Sequence, residues 1–331
     1  MKENFWKKIE KKAKKEKRPF FSLAPMEAVT DSIFRRVVAQ AYPPDVFFTE
    51  FTNSLSIIHP QAKFSAKNRL YISKSEKVPV VAQLWGDNER IFYKAGEKAK
   101  NLGYKAIDIN MGCPTSKIIK NGGGADLIRH PKKAAKIISS LKKTGLPISV
   151  KTRLGFSNLS EMNKWIPWIL KQRVSLITIH LRTRKEMSKT FAHYEFINRL
   201  IKFRNKISPN TLLQINGDIK DYQQGIRIYN QHPGVDGIMI GRGIFQNPYC
   251  FEKKPISHNL NNLLSLFKMQ LNLYESYIQT IGEKRFETLR RFFKIYIRNL
   301  HNAKYFREKL MSTHSPEEAK KIIKEIEKNY N

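Results

Sequence analysis

Four side chains of different chemistry stand where apolar runs of this sequence give out: Gln83, Cys113, Lys151 and His180. Cys113 ends the stretch Ala106-Ile107-Asp108-Ile109-Asn110-Met111-Gly112-Cys113-Pro114. That stretch begins as a buried strand, with Ile107 and Ile109 alternating with polar neighbours. It stops in a Gly-Cys-Pro turn because proline has no amide to donate. A thiol there is exposed enough to react and fixed enough to be aimed. The loop Asn121-Gly122-Gly123-Gly124 follows and lets backbone approach a ligand closely. Lys151 and His180 lie just inside the ends of their runs and would point into a common mouth, where a buried cation needs an anion or an electron-rich ring. Gln83 offers both a donor and an acceptor, which suits the imide edge of a flavin or a pyrimidine. Taken singly, each residue is more often structural, Cys113 as part of a plain turn. The coincidence of Gln, Cys, Lys and His on four consecutive strands is what points to a site.

What must position them is a rhythm of strand and helix. Strand-like apolar runs occur at 20–26, 46–51, 78–85, 106–111, 147–154, 176–181, 211–216 and 237–241. Segments of helical spacing lie between them, among them 31–41, 88–102, 131–143 and 162–172. Eight strands alternating with helices predict an α/β fold, a parallel eight-stranded (β/α)8 TIM barrel. The runs are near-continuously apolar, as strands covered on both faces are. A doubly wound open sheet is the rival, and it would not require a count of eight.

In such a barrel the active site is built at the carboxyl ends of the strands. Here those ends carry Pro25-Met26-Glu27, Thr49-Glu50, Gln83 to Gly86, Asn110 to Cys113, Lys151-Thr152-Arg153, His180 to Arg184, Asn216-Gly217-Asp218 and Gly241-Arg242-Gly243. The last two are small, turn-forming and rich in backbone amides. Loops after the seventh and eighth strands, with a short extra helix, are the usual phosphate cradle of this fold.

Charge supplies the second line of argument. The 331 residues include 61 Lys and Arg against 28 Asp and Glu, a formal charge of +33. So large an excess must face a polyanion or stay solvated, with nucleic acid the first partner to consider and an anionic membrane surface the second. A Lys- and Ile-rich compositional bias accounts for part of it. An apolar content of 41% supports a packed core. Two cysteines make no disulfide framework and imply a reducing, cytoplasmic compartment. No run is long enough to span a bilayer, the charged N-terminus lacks the apolar segment of a signal peptide, and no cluster has metal-ligand spacing.

The two ends read differently from the middle. Residues 1–19 form a basic extension in which Phe5, Trp6 and Ile9 share one helical face. It is either a basic arm for RNA or a helix docked by its apolar residues. Residues 20–250 are the barrel, and 251–331 a small helical domain with helices at 262–278, 286–299 and 316–327. Ser315-Pro316-Glu317-Glu318 has the form of a capping box. The middle helix interleaves Arg285, Arg290, Arg291, Lys294 and Arg298 with Phe292, Phe293, Tyr296 and Ile297. The apolar residues suit packing and the cations suit phosphates. Cys250 reads as packing.

Taken together, Ala24-Pro25-Met26 with Val29-Thr30-Asp31 and Phe34-Arg35, Ala82-Gln83-Leu84-Trp85-Gly86, Asn110-Met111-Gly112-Cys113-Pro114, Val150 to Gly155, Ile179-His180 with Arg182-Thr183-Arg184, Asn216-Gly217-Asp218 and Gly241-Arg242-Gly243 resemble the tRNA-dihydrouridine synthases of bacterial type. The resemblance runs in order from about residue 20 to 250. It implies an FMN-dependent oxidoreductase that reduces selected uridines of tRNA, with NADPH as the usual reductant. By the family pattern Pro25, Met26 and Glu27 line the flavin ring, Gln83, Lys151 and His180 contact it, and Asn216, Asp218, Gly241 and Arg242 hold its phosphate end. Cys113 would be the proton donor. Asn110, Arg153, Arg182, Arg184, Arg290, Arg291 and Lys294 are expected to face the RNA, with no metal and the protein a monomer. Leu181 departs from the glycine usual after the histidine, which puts the course of the loop carrying Arg182 and Arg184 in question. Asp218 stands where a glutamate occurs in some relatives, a mild change.

Two other readings stand beside this one. A flavin barrel acting on a free pyrimidine explains Cys113 but not the charge. A non-catalytic RNA-binding protein on the same scaffold explains the charge and leaves the strand-end residues without a purpose.

Overall fold

All eight apolar runs become strands: β1 Phe20–Leu23, β2 Phe47–Phe48, β3 Val80–Trp85, β4 Ile107–Met111, β5 Ile148–Arg153, β6 Leu176–His180, β7 Leu212–Asn216 and β8 Gly237–Ile240. The computed structural model describes residues 4–60, 68–298 and 300–330. In it the strands pair in parallel and in chain order, and β8 returns to β1. A bridge between Ser22 and Val46 joins β1 to β2 and closes the ring, which excludes the open sheet. β2 is the irregular member. The expected run 46–51 is broken, and Phe47–Phe48 and Thr52–Asn53 pair separately with β3. Side chains replace the missing ladder: Thr49 Oγ1 accepts the Gln83 amide at 3.0 Å, and the Glu50 carboxylate accepts that of Ala28.

Alternate strand residues point outward under the surrounding helices, and the rest fill the barrel. At the amino-terminal end the inward residues are apolar: Phe20, Phe48, Val81, Ala106, Leu176 and Leu212. β8 opens on Gly237 because the Phe20 ring lies across it, where a Cβ would sit 2.3 Å from a ring carbon. One layer higher Ser22, Gln83, Asp108, Ser149, Thr178 and Gln214 are buried and polar. They satisfy one another, as buried polar groups must. Gln214 Nε2 donates to Ser22 Oγ and Thr178 Oγ1 to Gln214 Oε1, both at 2.9 Å. Asn110, Lys151, His180, Asn216 and Gly241 follow at the carboxyl end. Polarity therefore rises along the barrel axis toward the mouth.

The N-terminal helix Phe5–Lys15 plugs the apolar end. Trp6, Ile9 and Ala13 recur at helical spacing and are buried, the Trp6 ring stacked 6.0 Å from that of Phe48. Of the two readings of this segment, the docked helix is the one seen. Its lysines line the end of the barrel remote from the mouth, so they do not join the strand-end residues.

The C-terminal helices Leu260–Thr280, Arg290–Tyr296, Ala303–Met311 and Pro316–Tyr330 pack on the first strand–helix unit and on the turn after β8. The expected helix at 286–299 opens as a tighter turn, Phe286–Leu289. Ala303–Met311 escaped the sequence reading because it buries only Phe306 and Leu310. The capping box is present in shifted form: Glu318 N–H donates to Ser315 Oγ, and the Glu318 carboxylate accepts from His314 N–H, one residue before Ser315. Phe292 packs 4.4 Å from Phe34, Lys284 pairs with Asp31 at 2.6 Å, and Arg291 donates to the Glu27 carbonyl at 3.2 Å. Barrel and helices share one hydrophobic core. No helix among the described residues is long and apolar enough to cross a membrane.

Trp6→Ala should lower unfolding stability by about 3–5 kcal/mol in a denaturant titration, the usual cost of removing a buried aromatic. Trp6→Phe should cost far less, because the Trp6 Nε1 is buried without a hydrogen-bond partner and phenylalanine dispenses with it.

Candidate active site

A cavity of about 870 Å³ opens at the barrel mouth. Ala24, Pro25 and Met26 from the end of β1, Lys151, His180 and Asn216 from the strand ends, and Gly241 and Arg242 after β8 all line it. Eight of the ten residues expected to bind the cofactor thus converge: Pro25, Met26, Lys151, His180, Asn216, Asp218, Gly241 and Arg242. Arg182 joins them.

The cavity is electropositive at its base. Burial, then the neighbouring Arg153, lowers the Lys151 ammonium to about 8, with Asp108 and Cys113 opposing the shift. Burial holds the His180 imidazole well below its ordinary value, and Arg153, Lys151, Arg182 and Arg242 push it further down. His180 is therefore neutral at pH 7, and its buried Nδ1 has no partner. Among the described residues no carboxylate forms an ion pair with Lys151. The group missing from this set is an anion or a polarisable ring.

At one end of the cavity the turns after β7 and β8 meet. Gly217 takes φ +133° and Asp218 φ +51°, and a Cβ on Gly243 would lie 2.2 Å from the Lys220 carbonyl oxygen. The Asp218 carboxylate pairs with Arg182 and, at 3.2 Å, with Arg242. Arg182 also donates to the Thr190 carbonyl, while its buried Nη1 has no partner. Arg182, expected from the resemblance to face the RNA, lines this cavity beside Arg242. The Asp218 carboxylate lies between the two guanidinium groups and orients both.

Cys113 is partly exposed, one residue beyond Gly112, whose carbonyl accepts Arg153 Nε at 2.7 Å. Asn110 Oδ1 accepts the Gly112 and Cys113 amides at 3.1 and 2.9 Å, which fixes the turn. Asn110 Nδ2 donates to Gln83 Oε1 at 3.0 Å, and Gln83 Nε2 to Asp108 at 2.7 Å. Asn110 and Gln83 are thus occupied in holding the thiol's loop. Arg153 is likewise spent on the backbone, bracing Gly112, Thr183 and Met187. Asp108 was missed in the sequence. The signal was available: an acid between Ile107 and Ile109 falls on the inward face of β4.

Other expected residues lie elsewhere. Glu27 pairs with Arg69 at 2.5 Å and lines a second cavity of about 890 Å³, together with Trp85, Thr115, Lys117, Lys120 and Lys133. Thr115 accepts the Cys113 thiol at 3.3 Å, so this cavity adjoins the loop of the thiol. Arg184 lies over the Phe156 ring at 5.2 Å, and Leu181 is buried without displacing Arg182 from the cavity. Arg290 donates to the Thr313 carbonyl within the helical region, whereas Arg291 and Lys294 are exposed. Cys250 is buried. No group of His, Cys, Asp or Glu able to hold a metal ion occurs among the described residues.

The chain is similar to known proteins over nearly its whole length. The family model described as "Dihydrouridine synthase (Dus)" matches residues 22–331. A "Probable tRNA-dihydrouridine synthase" of Staphylococcus epidermidis is 48% identical over 327 residues, 99% of this chain and 97% of that protein. A "Probable tRNA-dihydrouridine synthase 2" of Bacillus subtilis is 47% identical over 330 residues, covering 100% and 98%. Among solved structures, a 2-naphthoyl-CoA reductase complex superposes with a TM-score of 0.52 at 9% identity, over 69% of this chain and 48% of that one, a likeness of fold alone. The chain is therefore an oxidoreductase, and it belongs to the dihydrouridine synthase family.

Proposed function

We propose that the protein reduces uridines of tRNA to 5,6-dihydrouridine, using FMN, with NADPH as reductant and Cys113 as proton donor. The observation that carries this reading is the excess of positive charge in the mouth cavity, beside a thiol held on a fixed turn. The residues present fit FMN. Arg182 Nη1 and Arg242 offer donors to a phosphate, Asn216 and the glycine turns allow close approach, and Pro25 and Met26 give an apolar surface for a flat ring. Lys151 and the unpartnered His180 Nδ1 offer donors or charge to polar ring atoms. When bound, the flavin supplies the hydride chemistry that side chains lack.

The protein's part is placement and proton transfer. Cys113 gives its thiol proton to carbon 5 of the target pyrimidine and is left as thiolate, to be reprotonated from solvent. Lys151 keeps positive charge beside the reacting rings, where it is worth most in a site shielded from water. Neutral His180 donates a hydrogen bond without adding a further charge to a crowded site. The second cavity, with Arg69, Lys117, Lys120 and Lys133 on its walls, suits the phosphates of a nucleotide turned out of the tRNA fold. Arg291 and Lys294 extend that positive surface onto the C-terminal helices.

Purified protein should be yellow and should restore dihydrouridine to tRNA lacking it. Colourless protein that takes up no flavin would defeat the reading, and turnover of free uracil or orotate without RNA would favour the small-pyrimidine alternative. Cys113→Ala should retain flavin and lose about 100-fold or more in kcat, the usual scale for a general acid. Lys151→Met should release flavin on gel filtration under conditions where the unaltered protein keeps it. Arg291→Ala should weaken tRNA binding across sequences and flatten the slope of log affinity against log salt by about one unit, measured by filter binding.

A further inference from the structure

We propose that Asp108 is a positioning residue that sets, through Gln83 and Asn110, the direction of the hydrogen bonds holding the Cys113 turn. Asp108 lies wholly buried in the middle layer of the barrel, below the mouth. Its Oδ1 accepts Ser149 Oγ at 2.5 Å and its Oδ2 accepts Gln83 Nε2 at 2.7 Å. From there the chain is continuous: Gln83 Oε1 accepts Asn110 Nδ2 at 3.0 Å, and Asn110 Oδ1 accepts the amides of Gly112 and Cys113.

Direction is the informative part. A side-chain amide carries a donor at one tip and an acceptor at the other, so each can fit its site in two orientations. An ionised carboxylate only accepts. With Asp108 beneath it, Gln83 must turn its NH2 downward and its oxygen toward Asn110. Asn110 must then turn its own NH2 toward Gln83 and its oxygen toward Gly112 and Cys113. In the opposite orientation the Asn110 NH2 would face two backbone N–H groups, donor against donor, and the turn would lose its acceptor. Burying a carboxylate is costly unless its oxygens are bonded, and both are. An asparagine side chain in place of Asp108 would satisfy the same neighbours and leave the direction undetermined.

The inference deepens the assignment of Cys113 as proton donor and depends on it only for the effect on turnover. The test is the rate at which iodoacetamide alkylates Cys113 in the folded, flavin-loaded protein, read by peptide mass spectrometry, alongside kcat and KM for tRNA. Asn110→Ala, which removes the acceptor outright, sets the scale of a loosened turn. Asp108→Asn should speed alkylation at least about fivefold and lower kcat about tenfold, with KM for tRNA within about twofold. The double variant Gln83→Glu with Asp108→Asn exchanges carboxylate and amide between the two positions. The carboxylate then standing in the upper position can accept from Asn110 on one oxygen and from the new amide below it on the other. Alkylation should therefore return to within about twofold of the unaltered rate. Alkylation unchanged in Asp108→Asn would overturn the proposal. Failure of the double variant to restore the rate would overturn it equally. Should Asp108→Asn alone fail to fold, the double variant decides against the Asn110→Ala benchmark. Unaltered protein that makes no dihydrouridine would defeat the functional reading, while the alkylation comparison would still decide this one.

Discussion

Lys151, Arg153 and Arg182 crowd around one barrel mouth, and among the described residues only Arg182 of the three has a carboxylate in direct ion-pair contact, that of Asp218, while Asp108 and Glu186 act on the other two from farther off. Positive charge of this density in a low-dielectric site is unfavourable unless something answers it. Arg153 is answered by three backbone carbonyls and Arg182 by a carbonyl and a carboxylate. Lys151 is answered only in part, by Asp108 one layer below, and the Nη1 edge of Arg182 has no partner. The protein folds with this imbalance built in, and a bound anionic cofactor is what would relieve it.

The rest of the chain keeps that imbalance tolerable. The remote end of the barrel is filled with aromatic and aliphatic side chains and sealed by Trp6, so the stabilising burial lies far from the cations. The polar layer between the two ends is hydrogen-bonded within itself and stiff, and it hands a fixed framework to the mouth. The C-terminal helices add no strand-end residue. They grip the first strand–helix unit through Phe292 and Lys284 and bring exposed cations to the rim, where an RNA backbone would lie.

Much of this is legible in the sequence because it depends on local pattern. The eight strands follow from apolar runs, and Lys151, His180, Asn216 and Arg242 follow from where those runs end. Less legible is anything set by contact across the barrel. The resemblance implies that Glu27 lines the flavin ring, but in the structure its carboxylate pairs with Arg69, distant in sequence, on the wall of the neighbouring cavity. Gln83 reads as a ring contact from its paired donor and acceptor and from the resemblance, and Asn110 as a substrate contact. In the structure their side chains bond each other, Asp108 and the thiol's own backbone, and no spacing rule encodes that. The basic N-terminus is ambiguous for a different reason: one apolar stripe beneath many lysines is compatible with an arm or a plug, and only the open end of the barrel decides between them.

The central claim is that the mouth is built for an anion beside a flat ring. Titration of flavin-free protein with FMN and with riboflavin, followed by quenching of flavin fluorescence, tests it most directly. Two guanidinium groups aimed at a phosphate predict that FMN binds about 100-fold or more tightly than riboflavin, and that the advantage shrinks in Arg182→Ala. Equal affinity for the two flavins, or binding of neither, would contradict the account.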